Sequence, residues 1–217
     1  MIVTVSGLIG EGKGTVADML VDKYGFRKDS FAATLKDATA AIFGWERHLL
    51  EGDTNESREF RETEDEWWTK NLDMGHSVTP RWVLQNIGTE VFRKNFHSDI
   101  WVLSAMRKHL DADDNIVFPD ARFPNEFEWV KAFGGYTIVV ERVARPEWWE
   151  VAVNANEGSD YAQSLMTQFG IHPSEYEWVG RDFDFVITNK RDLVELEKRV
   201  DEVYEKICKK ELDKSSR

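Results

Sequence analysis

Residues Gly7 to Thr15 read GLIGEGKGT, and Gly7, Gly12 and Lys13 fall at the spacing G-x-x-x-x-G-K. Glycines let backbone N–H groups converge on anionic oxygens, a following helix N-terminus adds partial positive charge, and a lysine reaches the outer phosphates. Gly10, Glu11, Gly12, Lys13, Gly14 and Thr15 are therefore expected to cradle nucleotide phosphates, with Lys13 stabilising the transferred charge. Gly14 stands where a hydroxyl usually follows the lysine, and the hydroxyl arrives one residue later as Thr15. An apolar run before the loop and a helical pattern after it supply the context that such a motif requires.

A second acidic group is expected to hold magnesium beside the phosphates. Asp120 closes the apolar run IVFPD and, with Thr15, forms the candidate magnesium pair. Three stretches carry candidates for a phosphate acceptor site. Lys36 lies near a helix start; Arg81, Gln85 and Thr89 fall at steps of four; and Arg122, Asn125 and Glu126 follow Asp120 directly. The last group sits where ligands gather, beyond the carboxyl ends of parallel strands.

TNKRD (188–192) contains N-K-x-D, a guanine-recognition spacing. Asp192, however, already has a sufficient role as a helix cap, Gly14 lacks the expected hydroxyl, and no D-x-x-G follows Asp120.

These groups must be positioned by alternating strands and helices. Ile2–Ser6 reads as a strand buried on both faces, and 15–24 as a helix with Ala17, Leu20, Val21 and Tyr24 inward, stopped by Gly25. A short strand is expected over 26–31 and a helix over 34–43, with Leu35, Ala38 and Ile42 on one stripe. Residues 46–68 are polar and mostly acidic without a clear core face and read as mobile, carrying Arg58 and Arg61, within an irregular insertion over 46–78. Thr79-Pro80 starts a helix with Leu84, Ile87, Gly88 and Val91 inward, and another begins near Ser98 with Ile100, Leu103 and Met106. Further buried strands are expected over 115–119, 136–140 and 184–188, and a helix over 124–133. Residues 143–180 read as a lid with short helices in PEWWEVAV and YAQSLMTQF. Asp192 and Glu195 cap the last helix, whose apolar face is Leu193, Leu196, Val200, Val203 and Ile207. The pattern predicts an α/β fold: one three-layer α/β/α domain over 1–217 with a central, mainly parallel sheet.

Composition narrows the function. A net charge of -12 weighs against gripping DNA or anionic lipid but leaves room for small phosphorylated ligands. No apolar run approaches membrane-spanning length, and Met1 leads straight into the first strand, with no leader pattern. The single cysteine, Cys208, fits a reducing cytoplasm. Five scattered histidines show no zinc spacing, and His172 reads as a helix cap. Most of the nine tryptophans are expected in packing.

The GKGT ending with glycines at 7, 10 and 12 resembles nucleoside monophosphate kinase loops. LQNIGTEVFRKNFHSDIWV, DARFPNEFEWVKAFGGYTIVVER, and HPSE followed by FDFVITN resemble the deoxynucleoside monophosphate kinases of tailed bacteriophages, from residue 2 to about 205. The resemblance implies a P-loop kinase fold that transfers the γ-phosphate of ATP-Mg to a deoxynucleoside 5′-monophosphate, supplying DNA precursors in the host cytoplasm. It casts Lys13, Arg122 and Arg142 as catalytic, with Arg122 on the acceptor phosphate and Asn125 and Glu126 orienting it or the sugar. Lys36, Arg81 and Gln85 would line the acceptor site, 46–78 would be the acceptor-side insertion, and Arg142 and Arg145 would open the lid. ATP and deoxynucleoside monophosphates are the implied partners, without membrane or direct nucleic-acid binding; a homodimer stays open. The alternatives are a P-loop kinase for a nucleoside, dephospho-coenzyme A or a modified DNA base, and a GTP-binding switch.

Overall fold

The apolar run Ile2–Ser6 becomes the central strand β1 of a five-stranded sheet in the computed structural model, which describes residues 1–110, 114–142 and 144–215. Val143 of the expected lid, and Ser216 and Arg217 of the tail, lie outside the described residues. The other strands are β2 (Arg27–Lys28), β3 (Ile116–Phe118), β4 (Tyr136–Glu141) and β5 (Phe185–Thr188), in the order β2-β3-β1-β4-β5, every pair parallel. In chain order the α-helices are α1 (Lys13–Tyr24), α2 (Ala33–Phe43), α3 (Asn55–Glu62), α4 (Glu66–Leu72), α5 (Pro80–Gln85), α6 (Ile100–Arg107), α7 (Pro124–Ala132), α8 (Trp149–Asn156), α9 (Asp160–Gln168), α10 (Pro173–Tyr176) and α11 (Leu193–Ser215). Among the described residues, no helix is long and apolar enough to cross a membrane.

The chain divides into two compact units, 1–30 with 111–217, and 31–110. In the first, the sheet is covered on both faces, which is why β1, β3 and β4 are nearly continuous apolar runs rather than alternating ones. Helices α1 and α11 pack together on one face: Val16, Ala17, Leu20, Leu196, Val200, Val203 and Ile207 close over Val3, Val5, Ile138 and Val140. Helix α7 covers β1 and β4 with Phe127 and Val130 buried. Leu193, expected on the apolar face of the last helix, is exposed at its first turn, while Asp192 accepts the Glu195 N–H at 2.9 Å as a cap. β2 pairs over only two residues of the expected 26–31, against the three-residue β3; Phe26 and Phe31 are buried at its flanks.

The second unit has its own core: Leu35, Trp45, Leu50, Val78, Val83, Leu84 and Trp101, with Phe43, Phe60 and Trp68 against them. The acidic stretch that lacked a core face in sequence thus has one. Its inward residues, Leu50, Phe60 and Trp68, fall on a 3₁₀ turn (Arg47–Leu50), α3 and α4, so no single period reveals them. Thr54 and Asp65 cap the two helices, Trp45 Nε1 donates to Asp65 at 2.7 Å, and Trp68 Nε1 donates to the Phe43 carbonyl at 3.0 Å. Trp67 stays exposed.

Three expected stripes in this unit are out of phase. The α2 face is Leu35, Thr39 and Phe43, while Ala38 and Ile42 are exposed. The α6 face is Trp101, Val102, Ala105 and Met106, with Leu103 turned outward. After α5 the backbone widens into a π-helical stretch, Asn86–Arg93. Each residue there advances less around the axis, so Val91 leaves the face of Leu84 and is exposed. Gly88 lets that stretch approach α2 closely: a Cβ would stand 2.7 Å from Leu35 Cδ2, and the Gly88 carbonyl accepts Trp101 Nε1–H at 2.9 Å.

Candidate active site

At the carboxyl end of β1 the chain turns through the glycine loop into α1. Gly12 sits at φ +102°, and a Cβ there would stand 2.5 Å from Asn189 Nδ2; at Gly7 a Cβ would meet Glu11 Oε2 and the Val140 carbonyl, each at 2.6 Å. Gly10 and Gly14 face open space, and Thr15 is exposed on the first turn of α1. The loop is thus packed against the sheet on one side and open on the other, as a phosphate cradle must be.

Lys13 Nζ donates to the carbonyls of Gly7 and Leu8, both at 2.9 Å, inside its own loop. Burial pushes its pKa down from 10.5 to about 8, and the Arg122 guanidinium pushes in the same direction, against Glu11, Glu175 and Asp120. Two cations from distant segments therefore share one neighbourhood, and a phosphate would relieve both.

The turn after β3 is built to present Asp120 and Arg122. Ser30 Oγ donates to Asp120 at 2.6 Å, and Ser6 Oγ donates to the Ala121 carbonyl at 2.8 Å, tying the turn to the ends of β2 and β1. Glu126 is only 2% exposed, and its carboxylate accepts the N–H groups of Arg122 at 2.7 Å and Phe123 at 3.0 Å. Its side chain closes the turn, with Pro124 opening α7. Asn125 stands partly buried on the same first turn. Arg122 Nη1 reaches Glu175 Oε1 at 2.5 Å.

The Glu11 side chain braces the glycine loop itself. It is 4% exposed; Oε2 accepts the Leu8 N–H at 2.6 Å, Oε1 accepts the Arg142 N–H at 3.4 Å, and its carbonyl accepts Asn189 Nδ2–H at 2.7 Å. The Arg142 guanidinium is exposed and reaches the Gly10 carbonyl at 3.4 Å, at the rim of the loop. Arg145 lies 4.9 Å over the Trp149 ring and 4.0 Å from Glu150. A cavity of about 160 Å³ opens there, lined by Leu8, Glu11, Glu141, Arg145, Trp149 and Lys190, among others.

The remaining candidates belong to the second unit. Lys36, its side chain 13% exposed, pairs with Glu51 at 2.5 Å, and Arg47 pairs with the same carboxylate. Burial alone would raise the Glu51 pKa, but Lys36 and Arg47 outweigh it and hold the carboxyl below its ordinary value. Arg81 pairs with Glu62 at 2.5 Å, and Gln85, half-buried, ends α5 where the helix widens. Arg58 and Arg61 donate to main-chain carbonyls of Gly52 and Glu51.

Sequence reasoning missed Asn189 and Glu175. Asn189 belongs to the stretch dismissed as a false guanine motif, and its position just after β5 was the available signal. Glu175 lies in HPSE, where attention went to His172, which does cap α10 by accepting the Ser174 N–H at 3.2 Å.

No protein-family profile matches the chain. A protein of Acanthamoeba polyphaga mimivirus named "Putative deoxynucleotide monophosphate kinase" is 28% identical over 210 residues, covering 90% of this chain and 91% of that one. Among solved structures, dephospho-CoA kinase from Campylobacter jejuni overlays with a TM-score of 0.42 at 19% identity, covering 95% of this chain and 96% of that one. Shikimate kinase from Bacteroides thetaiotaomicron overlays with a TM-score of 0.40 at 9% identity, covering 94% and 97%. Likenesses of that size say nothing of the chemistry, and the fold rests on the parallel sheet and glycine loop themselves.

Proposed function

We propose that this chain is a phosphotransferase that moves the γ-phosphoryl group of ATP to a deoxynucleoside 5′-monophosphate, giving ADP and the deoxynucleoside diphosphate. The observation that carries this is the placement of the Arg122 turn beside the glycine loop: Ser6, at the end of β1, donates to the Ala121 carbonyl at 2.8 Å, and the Arg122 guanidinium helps to lower the pKa of buried Lys13. One cation serves the donor phosphates and the other the acceptor phosphate. The mimivirus relative's name supports the deoxynucleotide acceptor.

In this reading an acceptor phosphate oxygen attacks the γ-phosphorus while the bond to the β–γ bridging oxygen breaks, and ADP leaves. Such a transfer depends on positioning and charge neutralisation more than on a strong base. Lys13 offsets charge on the transferred group, Arg122 holds the acceptor monoester, and Arg142 stands at the loop rim to add positive charge. Glu126 and Glu11 act through backbone, one shaping the Arg122 turn and the other the loop. Lys36, Arg81 and Gln85 are assigned to acceptor binding, and 143–180 to lid closure, which would exclude water.

Magnesium suits the donor set. The described residues hold no group of three or more metal-ligating side chains, and magnesium bound with nucleotide phosphates needs only one or two protein oxygens plus water. Asp120 and the exposed Thr15 hydroxyl would hold it, and it would supply charge neutralisation between the β- and γ-phosphates.

The test is product identity. ATP labelled at the γ-position, incubated with magnesium and each of the four common deoxynucleoside monophosphates, should yield labelled deoxynucleoside diphosphate. Label appearing only in inorganic phosphate with every one of them would overturn the acceptor assignment. Transfer to a nucleoside, dephospho-coenzyme A or DNA instead would leave a kinase with another acceptor.

A further inference from the structure

HPSE (172–175) lies within that lid segment, but none of its residues has a named role in that reading. His172 and Pro173 start a single helical turn, α10. One turn has little stability of its own. Here it is pinned from α8: Asn156 Nδ2 donates to the carbonyls of Tyr176 and Val179, both at 2.8 Å. The side chain that this braced turn delivers to the site is Glu175, whose Oε1 meets Arg122 Nη1 at 2.5 Å.

Arg122 is consequently held at both ends. Glu126 fixes its main-chain N–H at 2.7 Å, and Glu175 fixes the guanidinium. A guanidinium carries five donors in a planar fork, and a carboxylate on one nitrogen leaves a further edge for a bidentate phosphate contact. Both side chains are partly exposed, 37% for Arg122 and 26% for Glu175, so the pair is open to a ligand.

We infer that Glu175 is a positioning residue, which orients the Arg122 guanidinium so that its remaining edge meets the phosphate monoester of the acceptor. This rests on the assignment of Arg122 to the acceptor phosphate. The rival role has the opposite sign: a carboxylate that fills the phosphate's place and must leave. The bracing of α10 from Asn156 fixes how Glu175 is presented on its own segment, which suits a partner that orients Arg122.

The experiment uses the full chain with Glu175→Ala and Glu175→Gln. Positioning predicts that Glu175→Ala raises the acceptor KM roughly tenfold, as expected for a misplaced binding group, with the ATP KM unchanged. Glu175→Gln should recover most of this, because its amide oxygen still accepts from Nη1. A fall in acceptor KM, or no change, overturns the proposal. Calorimetric binding of inorganic phosphate to the wild type and both variants separates this from the choice of acceptor. If no deoxynucleoside monophosphate is a substrate, weaker phosphate binding by Glu175→Ala still upholds the positioning role. Equal or tighter binding, or none by the wild type, overturns it. Should Glu175→Ala fail to fold, Glu175→Gln decides: an acceptor KM at or modestly above that of the wild type upholds the role, and a lower KM overturns it.

Discussion

The side-chain amide of Asn189 donates to the main-chain carbonyl of Glu11 at 2.7 Å, joining the end of β5 to a glycine loop 178 residues earlier in the chain. The same nitrogen would stand 2.5 Å from a Cβ on Gly12, and the Asn189 N–H donates to the Glu141 carbonyl at 2.8 Å. The loop is thus shaped by protein contacts before any nucleotide arrives, which lowers the ordering cost of binding.

Replacing Asn189 by alanine should leave the buried Glu11 carbonyl without that donor. A loss of about 1–3 kcal/mol is expected from an unsatisfied buried group. Urea unfolding should show the lower midpoint, and the ATP KM should rise while the acceptor KM stays near wild type.

Lys13→Met should abolish turnover without weakening the fold. The ammonium is disfavoured where it sits: the difference between 10.5 and about 8 corresponds to roughly 3 kcal/mol of unfavourable charging. Methionine removes that charge and keeps the stem, so the melting temperature at pH 7 should equal or exceed that of the wild type. A clear drop would mean that the bonds to the Gly7 and Leu8 carbonyls matter more than the charge penalty.

The same shift predicts a pH dependence. Burial and Arg122 hold the Lys13 pKa near 8 in the free protein, and bound phosphates favour the ammonium and raise it. The complex then carries more protons than the free protein above pH 8, so ATP affinity should fall as pH rises through that value, with proton uptake on binding. Calorimetry in buffers of different ionisation enthalpy measures the uptake, which Lys13→Met should lack. For folding, the unfolded chain keeps this proton up to about 10.5, so the stability of the wild type relative to Lys13→Met should rise between pH 8 and 10.5.

Glu126→Ala should unlatch the turn that carries Arg122, because two backbone N–H groups lose their acceptor. A cost of about 2–4 kcal/mol is expected for removing a buried charged acceptor of two bonds. Acceptor KM should rise with ATP KM unchanged, and steady-state kinetics beside thermal melting would check both.

Local chemistry made the first unit largely legible. Ile2–Ser6, the glycine loop, α1, α7 and α11 follow from uninterrupted apolar runs, a proline start and regular helical spacing. The second unit was harder because its core is assembled from short pieces, and because the π-helical stretch changes the period within one run. The site divides the same way. Lys13, Asp120 and Arg122 stand beside recognisable turns, whereas Glu175 and Asn189 act across 53 and 178 positions. With 40 acidic residues in the chain, nothing local marks Glu175 as a carboxylate that meets Arg122.

The central claim is that Lys13 and Arg122 serve two different phosphates at one site. The most direct measurement is ADP release by the wild type and Arg122→Ala, varying ATP at saturating deoxynucleoside monophosphate and then the reverse. The account predicts an acceptor KM raised at least about tenfold in the variant, the loss expected for a charge-assisted phosphate contact, with the ATP KM within about twofold. An unchanged acceptor KM, or an ATP KM that rises as much as the acceptor's, would contradict it.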